Sequence, residues 1–126
     1  MKVIVCGGRA YSNRQRVFDV LDVLHAKTPI TLIIHGGATG ADNLAYEWAM
    51  KRHVACAAFQ ADWANYGRAA GPIRNALMLE ERPAMVVAFP GGRGTLDMVQ
   101  RAMDAHVLVL LENEVSEVAG GETCAD

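Results

Sequence analysis

The chain is poor in several things that would mark its function at once. Its three cysteines, Cys6, Cys56 and Cys124, are odd in number and far apart. There is no C-x-x-C and no His/Cys cluster, which argues against a disulfide framework or a zinc site. Neither a metal nor a cofactor is expected, and a reduced, cytoplasmic setting is. No apolar run approaches the roughly 18 residues of a membrane span. The opening MKVIVCGG is too short in apolar residues for a signal peptide or anchor and reads as a first strand. Excess charge is also missing, at a formal −2. That balance hides an asymmetry. The stretch 112–126 holds five acids and no Lys or Arg, leaving 12 basic against 9 acidic residues, a net +3, in residues 1–111. Nine of the 12 basic residues are Arg, whose planar fork suits phosphate. A surplus of that size is too small for duplex DNA but suits a local anion site.

What is present is alternation. Lys2–Cys6, Thr31–His35, Val54–Phe59, Met85–Phe89 and Val107–Leu111 are short, nearly continuous apolar runs, the pattern of strands buried on both faces of a parallel sheet. Between them, Arg14–Ala26, Ala41–Arg52, Pro72–Glu81 and Thr95–Ala105 carry apolar residues at helical spacing. Ser12 with Gln15 reads as a capping box for the first helix. The expected fold is one α/β domain over residues 1–111, a Rossmann-like three-layer sandwich with strand order 3-2-1-4-5, followed by an acidic extension 112–126. The apolar helices, especially the one with Met98 and Met103, suggest a homo-oligomer.

In such a sheet ligands bind beyond the carboxyl ends of the strands, at the crevice where strand order reverses. Glycines gather there: Gly7-Gly8-Arg9 after the first strand, Gly36-Gly37-Ala38-Thr39-Gly40-Ala41-Asp42 after the second, and Pro90-Gly91-Gly92-Arg93-Gly94-Thr95 after the fourth. Glycine lets backbone approach a ligand, and a helix N-terminus behind it offers free N–H groups. Each loop alone is explained equally well by the ordinary glycine preference of turns. Together, with an Arg in two of them, they point to a phosphate-bearing ligand. No G-x-x-x-x-G-K-[ST] is present, and no G-x-G-x-x-G, which excludes a P-loop NTPase and argues against a nicotinamide dehydrogenase.

Arg74 and Asn75 are expected in the first turn of the third long helix, where an Arg opposes the dipole and needs an anion. Trp63 and Tyr66 either stack on a base or pin a long loop to the core. Asp42 reads as a helix cap beside the crevice, and His35 as a hydrogen-bonded structural residue. Asp97 is the carboxylate best placed for acid/base work.

The motif PGGRGT at 90–95 resembles the P-G-G-x-G-T signature of the SMF/DprA–LOG (SLOG) superfamily. CGGRAY at 6–11, HGGATGAD at 35–42, ADW at 61–63 and GPIRN at 71–75 through Met78 are similar to its small YspA-like branch, related to YpsA. The resemblance runs in order over residues 3–110. It implies a Rossmann-like fold with glycine loops around a nucleotide-derived ligand. In the phosphoribohydrolase branch, an Arg and the Glu of P-G-G-x-G-T-x-x-E take part in N-glycosidic cleavage. Arg74 stands in the place of that Arg and Met98 in the place of that Glu. Methionine accepts no proton, and Asp97, one position earlier, points about 100° away on a helix.

Two readings of function compete, with a third behind them. The first is a binding pocket for a nucleotide or nucleotide-derived molecule, as sensor or sequestering protein. The second is an N-glycosidic hydrolase of nucleoside 5′-monophosphates, with Asp97 and Arg74 as catalytic residues. The third, single-stranded nucleic-acid binding, needs a broad basic groove that the weak charge does not support.

Overall fold

The computed structural model describes residues 1–112. The rest of the acidic extension lies outside the described residues. Elements follow in the order β1 (Lys2–Cys6), α1 (Arg14–Lys27), β2 (Leu32–His35), α2 (Ala41–Arg52), β3 (Ala55–Ala58), α3 (Trp63–Tyr66), a 3-10 turn (Gly67–Ala69), α4 (Ala70–Leu79), β4 (Met85–Ala88), α5 (Arg93–Asp104) and β5 (Leu108–Leu111). The five strands pair in parallel in the order β3-β2-β1-β4-β5. This is the single Rossmann-like domain that the alternation predicts.

The period of two along each strand divides the core into two layers. Val3 and Val5 of β1, Ile33 of β2 and Val87 of β4 join Val17, Leu21 and Leu24 of α1 and Ala45, Trp48 and Ala49 of α2. Ile4, Ile34 and Val86 face the opposite way, onto Met78 of α4 and Met98 and Ala102 of α5. Trp48 is fully buried, and its indole Nε1 donates to Asp22 Oδ1 at 2.9 Å, so the bulkiest core side chain leaves no polar atom unpaired.

Four local expectations are corrected. The cap of α1 is Asn13, whose side chain accepts from Arg16 N at 3.0 Å; Ser12 is not the cap. Helix α3, four residues capped by Asp62, has no counterpart in the sequence reading. Helix α4 begins at Ala70, not Pro72, so Arg74 is its fifth residue and lies beyond the first turn. Met98 belongs to the core and is fully buried, so of the two methionines singled out for association Met103, 58% exposed, is the one at the surface. Glu112, first residue of the acidic extension, is fastened to the domain. Arg16 Nε meets its carboxylate at 2.8 Å and Arg16 Nη2 donates to its carbonyl at 2.9 Å. Among the described residues no helix is long and apolar enough to cross a membrane.

Candidate functional site

Parallel pairing brings the ends of β1, β2 and β4 to one edge of the sheet, and their loops are stitched together by main chain. Gly8 N donates to Pro90 O at 2.8 Å, and Ala41 N, opening α2, donates to Gly8 O at 3.2 Å. Such contact requires bare backbone. A Cβ on Gly8 would fall 2.9 Å from Pro90 O, and one on Gly91 would fall 2.6 Å from Gly8 N. These glycines let loop meet loop. Gly92 and Gly94 differ, because a Cβ on either would meet nothing within 4 Å.

A cleft of about 680 Å³ opens above this edge. Of the residues singled out from sequence, it gathers Gly7, Gly8, Arg9, Gly36, Asp42, Arg74, Asn75, Pro90, Gly91, Gly92, Arg93, Gly94 and Thr95. Gly37, Trp63, Tyr66 and Asp97 are not in its wall. Gly37 adopts φ +72 and spends its N–H on His35 Nδ1 at 2.9 Å. Trp63 and Tyr66 are 49% and 54% exposed, so neither pins its loop to the core. Asp97 Oδ2 accepts from Arg101 Nε at 2.8 Å and from Asn75 Nδ2 at 3.0 Å, which holds it between α4 and α5. Cys6, Ala10, Tyr11 and Met78 line the cleft without having been singled out for it. The signal for Ala10 and Tyr11 was their place directly after Gly7-Gly8-Arg9.

The amides at this edge are divided between two uses. In the loop after β2, Gly36 N and Ala38 N both donate to Asp42 Oδ2, at 2.9 and 3.3 Å. A buried carboxylate of the chain itself therefore occupies that loop's donors. At the start of α5 no acceptor among the described residues takes the amides of Arg93, Gly94 or Thr95, and the first turn of a helix supplies none. The helix dipole reinforces them.

Arg74 is built into the floor. Its Nη1 donates to Gly36 O at 2.7 Å and its Nε to Asn75 Oδ1 at 2.9 Å. Nη2 has no acceptor among the described residues. Burial lowers the Arg74 pKa, with the Asp42 carboxylate opposing the shift. Burial raises that of Asp42, opposed by the Ala38 and Gly36 amides and then by Arg74 and Arg9. Burial also pushes the Cys6 thiol up to about 12, so it is a protonated lining group and no nucleophile at neutral pH.

His35 sits under the β2 loop, with Nε2 buried and unpartnered among the described residues. Burial, then the charge of Arg74, holds its pKa below the usual histidine range. The unfolded chain takes up a proton near pH 6.5, while the folded one resists. This contribution to stability is complete above that pH and is lost as pH falls toward the folded pKa, by at most about 1.4 kcal/mol per pH unit. Urea denaturation at pH 7.5 and 5.5 should show a larger acid loss in the wild type than in His35→Gln. Asp42 works with the opposite sign but is common to both proteins.

The model of the YspA, cpYpsA-related SLOG family (YAcAr) matches residues 1–66. The gene 61 protein of Mycobacterium phage D29 is 35% identical over 117 residues, covering 86% of this chain and 94% of that protein. The chain belongs to the YAcAr family. In fold, this YAcAr protein is similar to DNA processing protein A (DprA) from Streptococcus pneumoniae, with a TM-score of 0.71 at 22% identity. The match covers 87% of this chain and 49% of that one, so the chain spans about half the length of DprA. The phosphoribosylglycinamide formyltransferase of Coxiella burnetii, in complex with CHES, matches at a TM-score of 0.47 and 9% identity over 74% of this chain and 42% of that one.

Proposed function

We propose that the cleft binds a small phosphate-bearing ligand, a nucleotide or nucleotide derivative, and that the protein acts by holding it, as sensor or sequestering protein. The observation that supports this most is the start of α5. Unpaired amides of Arg93, Gly94 and Thr95 face a cleft lined by Arg9, Arg74 and Arg93, and Gly92 and Gly94 leave open space where side chains would stand. The fold does not need glycine at 94, since Ala would cost nothing in contacts, and the bare Cα leaves room for an anion on the amides. Asp42, also in the cleft wall, is placed to accept from ligand hydroxyls, its Oδ2 engaged by two amides and its Oδ1 without a donor among the described residues.

Hydrolysis is the less favoured reading. Asp97 is committed to Arg101 and Asn75 outside the cleft wall, and Met98 is sealed in the core. Neither supplies a proton to a leaving base. The test uses adenosine 5′-monophosphate with wild type and Gly94→Ala. Wild type should bind it by calorimetry and release no ribose 5-phosphate. Gly94→Ala should melt no lower, since Ala favours a helix over Gly by about 1 kcal/mol, yet bind at least tenfold more weakly. Equal binding by both proteins would refute the α5 site, and release of ribose 5-phosphate would restore the hydrolase reading.

A further inference from the structure

Arg9 comes from the loop after β1, in the cleft wall, and Trp63 from α3, outside that wall. The Arg9 guanidinium lies 5.5 Å from the centre of the Trp63 ring. Arg9 is exposed, and among the described residues no carboxylate stands within ion-pair distance of it. Arg9 lines the cleft and Trp63 does not, so the indole meets the cleft through the guanidinium. Segment 62–69 is exposed throughout and turns on the Asp62 cap, which accepts from Asn65 N at 3.2 Å and from Asn65 Nδ2 at 2.7 Å. Gly71, at the start of α4, leaves room for the ring, as a Cβ there would lie 3.4 Å from it.

We propose that the Trp63 face is the platform for the ligand's nucleobase, and that Arg9 covers it until a phosphate draws the guanidinium away. This rests on the phosphate reading of the α5 terminus. A guanidinium stacked on an exposed ring is weakly held, whereas its paired hydrogen bonds to a phosphate are charge-assisted and strong. A nucleotide supplies both halves of the exchange. Its phosphate takes Arg9, and its base covers the indole face that Arg9 leaves, a contact open to any base because all present a π-face. A phosphate without a base uncovers the ring and leaves it bare. A nucleoside without a phosphate must displace Arg9 with nothing to receive it.

The probes are adenosine 5′-monophosphate, ribose 5-phosphate and adenosine, measured by calorimetry and by iodide quenching of tryptophan emission. Trp48 is fully buried, so quenching reports Trp63. In wild type, ribose 5-phosphate should raise iodide access and adenosine 5′-monophosphate should lower it. Trp63→Ala should weaken the nucleotide about tenfold and leave ribose 5-phosphate unchanged, with Trp63→Phe keeping most of the nucleotide's advantage. Arg9→Ala should weaken ribose 5-phosphate and tighten adenosine, an opposition that a purely structural Arg9 would not produce. An unchanged nucleotide to ribose 5-phosphate ratio in Trp63→Ala, or adenosine weakened in Arg9→Ala, overturns the platform and leaves the phosphate site standing. Failure of wild type to bind either phosphate compound overturns both.

Discussion

Arg74→Ala is expected to abolish useful ligand binding, with affinity for adenosine 5′-monophosphate falling about 100-fold by calorimetry. Hydrogen bonds from a charged group are worth about 1.5–3 kcal/mol, and Nη2 is the guanidinium nitrogen left for a ligand, because Nη1 and Nε are fixed on Gly36 O and Asn75 Oδ1. The same variant should reveal the electrostatics of the floor. Arg74 lowers the Asp42 pKa against the burial that raises it, so its removal leaves the Asp42 charge buried with less compensation. A carboxylate with a raised folded pKa favours the folded state more as pH falls through that pKa. The deficit in Tm relative to wild type should therefore be largest at neutral pH and shrink on acidification. A deficit independent of pH would show that Arg74 and Asp42 are not coupled. Arg74→Lys keeps a charge without the fork and should recover stability more than affinity.

Gly40→Ala should damage the fold itself. Gly40 adopts φ +74 at the entry to α2, and an added Cβ would press on Gly8 O and lie 2.6 Å from Arg9 C. Both obstacles are main chain. Backbone strain of this kind costs about 1–3 kcal/mol before any clash is counted. Separating the loops after β1 and β2 would also break the bond from Ala41 N to Gly8 O. A loss of at least about 3 kcal/mol, or about 10 °C or more in Tm by calorimetry, is expected. Gly67→Ala is the matched control, since Gly67 also has a positive φ, +53, but nothing within 4 Å of its Cβ position. It should lose only the conformational part.

The layer architecture was readable because each strand is a short apolar run and the intervening segments change period to that of a helix. The order of strands was chosen among the few arrangements that right-handed crossovers leave, and it put the crevice where β1 and β4 run into glycines. Helix α3 escaped because four residues, WANY, carry no periodicity, and its start signal is one capping carboxylate, Asp62. The site was visible as a concentration of glycines and arginines, but their separate duties were not. Whether a glycine makes room for a ligand or for another loop depends on what lies opposite, and only the assembled edge shows Gly8 against Pro90 and Gly94 against open space. The capture of the β2 loop's amides by Asp42 was hidden for a similar reason. A capping carboxylate and one that fills an anion nest look the same in one dimension.

The two core layers have different origins along the chain. Of the 17 buried residues in the layer beneath α1 and α2, all but Val87 and Phe89 lie between Val3 and Val54. The layer beneath α4 and α5 draws Met78, Val86, Met98 and Ala102 from later in the chain, to cover Ile4 and Ile34. During synthesis, three neighbouring strands and two helices can collapse on one side before α4 has been made, while the other side stays bare to water or a chaperone. The half-built sheet is thus a natural early folding unit, with the ligand-holding end of α5 arriving last.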